Sequence, residues 1–395
     1  MIKAASIYTT IIDDIPSACQ ELKNQLDEKL TLLKNSVGIV QCDPEFLENG
    51  IMEPLHNILG IPLVGGTTVS IAANDVIDDL IFSVLVLTSN DVEFAASRTT
   101  NLMDDYKYAI CSSIETALGS SEKPLKMALV FPTVTDNDDM PGDCYVEAVE
   151  SVCGKLPVFG TLSVNDAIGV FERSMSVFNG DIFKSEMSYV LIFGDISPRF
   201  FVASVPPGIN LSDNYAVITR SDGHIVQEIN HMPAAEYFES IDFAKNGKFN
   251  NGVTLIPILV DNCKEGESAH TFVRAMVDFN EDGFVAFRGK VPEGARVTFG
   301  AMPSSADILT ATGEMMEKIA KEKDVNAALF FSCIVRQLTI GSDPLKELAL
   351  IKGSLNPDIS FVASYSGGEI APIGHDSNKN TINSFHNYSL IICLF

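Results

Sequence analysis

The sequence predicts an α/β protein of two domains, each built of layered mixed sheets flanked by helices. Apolar runs of strand length alternate along the chain with segments whose apolar residues recur at helical spacing. A pattern of strand, helix, strand, turn and strand also returns, which is typical of weak internal repeats. The chain has 395 residues, of which 46% are hydrophobic, so it is long enough for two or three ordinary domains.

The first copy of the pattern opens with a strand over 2–12. A helix is predicted to begin at Ser17, because Gln20 three residues later completes a capping box. The turn of this copy is Gly-Ile-Pro-Leu-Val-Gly-Gly-Thr-Thr at 60–68. Its other strands are predicted over 37–40, 80–87 and 92–96.

The second copy follows the same order. Its second helix is predicted to begin at Asp143 and to end near Gly154. The Leu-Pro-x-x-Gly segment at 156–160 then matches the Ile-Pro-x-x-Gly segment at 61–65, at an offset of 95 residues. The strands of this copy are predicted over 127–131, 188–193 and 200–205.

The third copy is looser. Ser360 stands where the other copies have proline, and Ala363 replaces the first glycine. Its helix is predicted to begin after Asp343 as N-cap, with Pro344 in the first turn. Its strands are predicted over 328–331, 359–362 and 388–394. Chance similarity among apolar strands is the alternative explanation of all three copies.

A linker is predicted at 206–214, where Pro-Pro-Gly opens a polar stretch. This divides the chain into domains 1–205 and 215–395. The region after the linker is rich in strands, and Asp222-Gly223 and Asp282-Gly283 read as hairpin turns. A helix over 304–323 connects this region to the third copy.

The charge of the chain argues against several partners. The 52 acidic residues outnumber the 27 basic ones, for a net charge of −25. Such a field repels nucleic acid and anionic membrane surfaces. The longest apolar runs are far shorter than a bilayer span, and the N-terminus does not resemble a signal peptide. We therefore expect no nucleic-acid partner and no membrane insertion.

The cysteines indicate a reducing compartment. Eight are scattered along the chain, none in a Cys-x-x-Cys pair, and most lie in apolar stretches. Free, buried thiols fit a cytoplasmic protein. No zinc spacing, P-loop, Gly-x-Gly-x-x-Gly or His-Glu-x-x-His motif is present, so neither a metal nor a cofactor is predicted.

The candidate site lies in the turns after the strands of the third copy. Gly367 and Gly368 can bring backbone amides close to an anion, Arg336 can hold a carboxylate, and Glu369 suits an ammonium group. His386 and Asn387 would stand at the rim. The predicted ligand-binding residues are Arg336, Gly367, Gly368, Glu369, His386, Asn387, Cys333, Thr67, Thr68 and Thr161.

Structural roles are open for the same residues. Arg336 and Glu369 can simply pair with each other, and Gly367 and Gly368 can serve a turn that needs positive φ. His386 can be a satisfied structural group, and Cys333 an inert core thiol.

Several segments resemble one family, in order and spacing. They are FVRAMVDFNEDGFVAFRGKVPEGARVTFGAM at 272–302, FFSCIVRQLTIG at 330–341, SYSGGEIAPIG at 364–374 and FHNYS at 385–389. Together they look like the FIST C domain, where FIST stands for F-box and intracellular signal transduction. The first domain, with GIPLVGGTT at 60–68, is similar to the FIST N domain that normally precedes it.

The resemblance implies a cytoplasmic sensory module that binds a small polar ligand, such as an amino acid or a related small carboxylate. No segment is left over for an output domain, so the signal would pass to a separate signalling protein. On this interpretation the chain is not an enzyme. One alternative is a cysteine hydrolase or transferase, with Cys333 as nucleophile, His386 as base and Glu369 orienting it. Another is an adaptor that binds no ligand.

Overall fold

The computed structural model describes residues 1–133, 140–165, 174–204, 215–262, 270–299 and 303–395, with the backbone alone for Asn262 and His270. Within them, helices flank mixed sheets, which confirms the predicted α/β class. Three units each contribute to a six-stranded sheet, and a strand-rich insertion interrupts the third unit.

The first unit ends in a hairpin and a returning strand. Its elements are β1 (Lys3–Thr9), α1 (Ile15–Lys29), β2 (Asn35–Cys42), α2 (Pro44–Glu48), α3 (Met52–Leu59), β3 (Leu63–Thr67), β4 (Val69–Ala73), β5 (Val76–Asp78) and β6 (Phe82–Ser89). The second unit has the same order. Its elements are β7 (Glu93–Arg98), α4 (Leu102–Leu118), β8 (Leu125–Pro132), α5 (Asp143–Cys153), β9 (Val158–Thr161), β10 (Ser176–Phe178), β11 (Asp181–Phe183) and β12 (Met187–Phe193).

The third unit opens with β13 (Arg199–Ala203) and is then interrupted by the insertion. The elements of the insertion are β14 (Ala216–Asp222), β15 (Ile225–Ile229), β16 (Met232–Pro233), α6 (Ala234–Ser240), β17 (Ala244–Lys245), β18 (Lys248–Phe249), a 3₁₀ turn (Val253–Leu255), β19 (Ile258–Asn262), β20 (His270–Arg274), β21 (Met276–Phe279), β22 (Val285–Phe287) and β23 (Arg296–Phe299). The third unit resumes with α7 (Ser305–Ile319), β24 (Ala327–Cys333), α8 (Ile334–Ile340), α9 (Lys346–Ser354), β25 (Ser360–Ser366), β26 (Glu369–His375), β27 (Thr381–His386) and β28 (Leu390–Leu394).

The three units exchange their hairpins in a cycle. The sheet orders are β1-β6-β2-β3-β10-β11, β7-β12-β8-β9-β26-β27 and β13-β28-β24-β25-β4-β5. Each unit supplies four neighbouring strands, and the last two come from the hairpin of another unit. The first unit receives the hairpin of the second, the second that of the third, and the third that of the first. No unit can therefore complete its sheet alone.

The register of the strands confirms the internal repeat. The pairs β2–β3, β8–β9 and β24–β25 are parallel, and the opposed residues are Val40 and Gly65, Val130 and Gly160, and Phe330 and Ala363. Gly65 and Gly160 are therefore equivalent, at the predicted offset of 95 residues. A Cβ at either glycine would lie 1.9 Å from the opposing carbonyl oxygen, so two copies need glycine there.

The three sheets enclose one apolar core. It combines β-strand residues of all three units, among them Val64, Phe131, Phe159, Phe331 and Ile391, all buried. The helices pack on the outer faces, where α1 and α3 cover the first sheet, α4 and α5 the second, and α7 and α9 the third. Each sheet is therefore buried on both faces, which explains why so many strands read as continuous apolar runs.

Two predicted helix starts are wrong by two or three residues. The first helix begins at Ile15, and Asp14 is its N-cap, with the carboxylate accepting from the amide of Ser17. The helix expected after Asp343 begins at Lys346 and has no side-chain cap. By contrast, Ser304 and Asp307 form a full capping box on α7.

The predicted linker at 206–214 lies outside the described residues, and the domain division placed there stays a prediction. The third unit has β13 before that segment and its other strands after it. The predicted hairpin turns Asp222-Gly223 and Asp282-Gly283 both connect paired strands of the insertion.

Candidate functional site

Polar side chains collect where strands of the third unit end beside β9 of the second. The parallel strands β24 and β25 end opposite each other at Cys333 and Ser366. The Gly-Gly turn then leads to Glu369, which pairs with Thr161 across β26 and β9. We call Cys333, Ser366, Glu369 and Thr161 the strand-end cluster. It unites three of the predicted site residues from two units.

Glu369 is the central group of the cluster, and none of its surface is exposed. Its Oε1 accepts a hydrogen bond from Ser366 Oγ at 3.1 Å, whereas Oε2 has no hydrogen-bond partner of normal geometry among the described residues. Burial raises the pKa of Glu369 well above its ordinary value, although Ser366, Arg336, the Cys333 thiol and the Ser389 amide act in the opposite direction. A buried carboxyl with one unsatisfied oxygen is costly unless it stays protonated or acquires a cationic partner.

Cys333 is also buried, at the end of β24. Burial, and then the charge of Glu369, raise the pKa of the thiol, against smaller effects of the Tyr388 and Val335 amides and of Arg336. A thiol of this kind is protonated at neutral pH and is a poor nucleophile.

Arg336 lies in α8 and is fully buried against Glu347. Its Nη2 and Nε donate to Glu347 Oε1 at 2.6 and 3.1 Å, and Nη2 also donates to Thr312 Oγ1 at 2.9 Å. Its Nη1 donates to the carbonyl oxygens of Ser204 and Tyr388. These bonds use all five N–H donors of the guanidinium group. Arg336 was predicted to bind a ligand carboxylate. In this arrangement it has no N–H donor left for such a contact.

The buried partner of Arg336 is Glu347. The alternative in which Arg336 pairs with Glu369 is therefore wrong. Burial alone would raise the pKa of Glu347, but the charge and hydrogen bonds of Arg336, with the hydroxyls of Thr312 and Ser332, lower it. Glu347 lies in the first turn of α9, where the helix dipole favours a carboxylate whatever its function. The missed signal was Arg336 itself, because an arginine among the apolar residues of α8 needs a buried counter-charge.

The two glycines of the turn join two units. The Gly367 amide donates to the Leu162 carbonyl at 3.0 Å, and the Leu162 amide donates to the Gly368 carbonyl at 2.9 Å. Gly368 has φ of +149°, and a Cβ there would lie 2.5 Å from the Phe385 ring. The Gly367 amide, expected to face an anion, is thus already bonded.

The three predicted threonines are buried near the exchanged hairpins. Thr161 Oγ1 donates to the Gly368 carbonyl at 3.1 Å. Thr67 Oγ1 accepts from the Met175 amide at 3.0 Å, and its carbonyl accepts from the Val164 amide at the same distance. Thr68 Oγ1 is buried and has no hydrogen-bond partner within the part of the chain that the structure describes. Thr161 therefore contacts the turn beside Glu369, while Thr67 joins the first and second units.

An open cleft of about 720 Å³ has His386, the β27 residue opposite Glu369, in its lining. Phe200 of β13 and Phe272 of β20 line it, together with Ser204 and His386. Ser204 Oγ lies 3.2 Å from Ser389 Oγ. The amide of Ser389 lowers the pKa of Glu369, so contacts lead from Ser204 in the cleft lining through Ser389 to the buried carboxyl.

His386 and Asn387, predicted at the rim, differ in role. His386 lines the cleft, and its Nε2 lies 3.4 Å from the Ala371 carbonyl oxygen. Burial lowers the pKa of His386 to about 4, so the ring is neutral at physiological pH. Asn387 accepts from the Ala275 amide at 3.2 Å and thereby attaches the insertion to the third unit.

We expect the stability of the protein to fall between pH 6.5 and 4 because of His386. Its pKa is lower in the folded than in the unfolded chain, so the unfolded chain binds the extra proton first as pH falls. The loss from this group should reach about 3 kcal/mol. Urea denaturation of wild type and of His386→Asn, each at pH 6.5 and at pH 4, measures this loss of stability. An equal pH dependence in the two proteins would contradict the neutral, buried ring.

The groups of the predicted enzyme alternative do not form a bonded pair among the described side chains. The hydrogen bond of His386 goes to Ala371, and Cys333 lies beside Glu369. Burial also raises the thiol pKa and lowers the imidazole pKa, which opposes a thiolate–imidazolium pair.

The fold and the cluster define an α/β protein of three hairpin-exchanging units with a buried polar site. The FIST N domain model matches residues 36–232, and the FIST C domain model matches residues 234–372. The chain therefore belongs to the FIST family, whose domains are associated with sensing in signal transduction. No curated protein matches the chain.

None of the helices in the described parts of the chain is long and apolar enough to cross a bilayer. The same residues contain no group of three or more His, Cys, Asp and Glu side chains placed to hold a metal ion.

Proposed function

We propose that the protein is a cytoplasmic sensor that binds a small polar ligand and reports it to a separate signalling protein. The ligand carries an ammonium group, as an amino acid does, and this group binds Glu369. The observation that carries the proposal is the buried Oε2 of Glu369, for which the described residues supply no hydrogen-bond partner of normal geometry. An ammonium donates three hydrogen bonds and supplies the missing charge.

The cleft that His386 lines offers the ligand a place to enter. Its aromatic walls suit the apolar part of a small metabolite, and Ser204 is also part of its lining. The amine end of an amino acid is better supported than its carboxylate end, because Arg336 is saturated by Glu347. Small amines therefore belong in the ligand class beside amino acids and related carboxylates.

A thermal-shift screen tests the proposal with amino acids, small carboxylates and simple primary amines. A ligand at about a hundred times its dissociation constant adds roughly 2.7 kcal/mol to stability. For domains near 200 residues this corresponds to a rise on the order of 5–10 °C. We expect the rise in wild type and its loss in Glu369→Gln, a variant that keeps the shape of the side chain.

The screen also separates the alternatives. No rise with any compound would contradict the sensor and favour an adaptor that binds no ligand. Rapid alkylation of Cys333 near neutral pH would instead favour a cysteine enzyme, since a protonated, buried thiol reacts slowly.

A further inference from the structure

We infer that the site takes up its cationic ligand in exchange for the proton of Glu369. This inference rests on the proposed function and adds how binding at the same site is regulated. Affinity would then depend on pH through a single carboxyl group, and each bound ligand would release one proton.

No cation forms an ion pair with Glu369 among the described residues. Arg336 is the cationic group whose charge lowers the pKa of Glu369, and it is itself paired with Glu347. Cys333 faces Glu369 from β24 as a protonated thiol, and His386, opposite it on β27, is neutral. Glu369 accepts a hydrogen bond from Ser366, and the Cys333 thiol and the Ser389 amide act on the same carboxyl without adding a positive charge.

An ionised Glu369 would thus add an uncompensated negative charge to a site with no exposed surface. Such a group binds a proton instead, which agrees with its raised pKa. An ammonium group beside Oε2 would favour the ionised form of Glu369, since two opposite charges in a buried site stabilise each other. The proton then leaves to solvent as the cation enters, and total charge is conserved.

The sign of the pH effect follows. Below the pKa of the unliganded carboxyl, each binding event releases a proton, so affinity should rise about tenfold for each pH unit. The rise should end once the unliganded protein is itself ionised. Between about pH 6 and 8 neither His386 nor an alkyl ammonium changes its charge, so Glu369 is isolated as the cause.

Methylammonium chloride is the probe, with tetramethylammonium chloride at equal ionic strength as the control. The affinity of methylammonium for the full-length protein is measured by thermal shift between about pH 6 and 8. Proton release is measured with a pH indicator in weakly buffered solution. Without any ligand, the infrared carbonyl band of a protonated carboxyl is compared between wild type and Glu369→Gln. We expect the band in wild type alone, its loss with methylammonium, and release of about one proton.

The outcomes are distinguishable. Methylammonium binding with constant affinity and no proton release would overturn the exchange but leave the proposed function standing. Absence of the carboxyl band near neutral pH would also overturn the exchange, whether or not the probe binds. No methylammonium binding at any pH would overturn exchange with a primary amine, and failure of the amino acids as well would overturn both proposals. Glu369→Gln should neither bind methylammonium nor release a proton at any pH in this range.

Discussion

Replacing Glu347 with glutamine should cost about 3–5 kcal/mol of folding stability, because it leaves Arg336 charged and buried without a counter-charge. Both side chains are completely buried. Arg336 also bonds to Thr312 and to the carbonyls of Ser204 and Tyr388, so it links α7, α8 and the start of β28. Glutamine keeps the volume of the side chain, and the loss reports the charge rather than a cavity.

Urea denaturation of Glu347→Gln against wild type measures this cost. The double variant Arg336→Met/Glu347→Leu is the matched control, because a buried ion pair replaced by apolar residues of similar volume is often near neutral in stability. We expect it to recover most of the loss. A change below about 1 kcal/mol in the single variant would contradict the arrangement of these two groups.

Replacing Asp143 with asparagine should loosen the attachment of the insertion to the second unit. Arg274 of β20 is almost fully buried and donates to Asp143 Oδ1 at 3.1 Å and to the Phe385 carbonyl at 2.9 Å. Burial lowers the pKa of Arg274, and Asp143 opposes this effect. Without the carboxylate, the buried cation loses its partner, which should cost about 3 kcal/mol.

Hydrogen exchange of the backbone amides in β20 measures the loss of stability at the insertion itself. A cost of about 3 kcal/mol corresponds to roughly a hundredfold loss of protection if the insertion opens as a unit. The control is Glu147→Gln on the same helix, which removes an exposed pair with Lys290 and should have little effect. Equal protection in wild type and Asp143→Asn would show that Arg274 does not hold the insertion.

The repeat could be predicted from the sequence because its signal is local. The Pro-x-x-Gly segments at 61–65 and 156–160 lead into the equivalent strands β3 and β9. The looser third copy has Ala363 in the same register. The cyclic exchange of hairpins could not be predicted in this way. Each hairpin pairs with a strand of another unit, about 100 residues or more away in the sequence. The alternation of apolar and polar residues along a strand does not specify which strand is its partner.

The candidate site was predictable to a similar extent. Cys333 and Ser366 end neighbouring parallel strands, so their turns had to meet at one sheet edge, and Glu369 follows at once. The pairing of Arg336 with Glu347 depends on how α8 and α9 both pack against α7, which spacing alone does not fix. Nor does a local motif show that His386 would be buried and neutral beside a cleft.

The most direct test of the proposed site is calorimetric titration of the best ligand from the screen into three proteins. They are wild type, Glu369→Gln and the double variant Arg336→Met/Glu347→Leu. We expect wild type and the double variant to bind with similar affinity, because the buried ion pair is not the ligand's contact. Glu369→Gln should lose binding while remaining folded. Unchanged affinity in Glu369→Gln, or loss of binding only in the double variant, would contradict a site centred on Glu369.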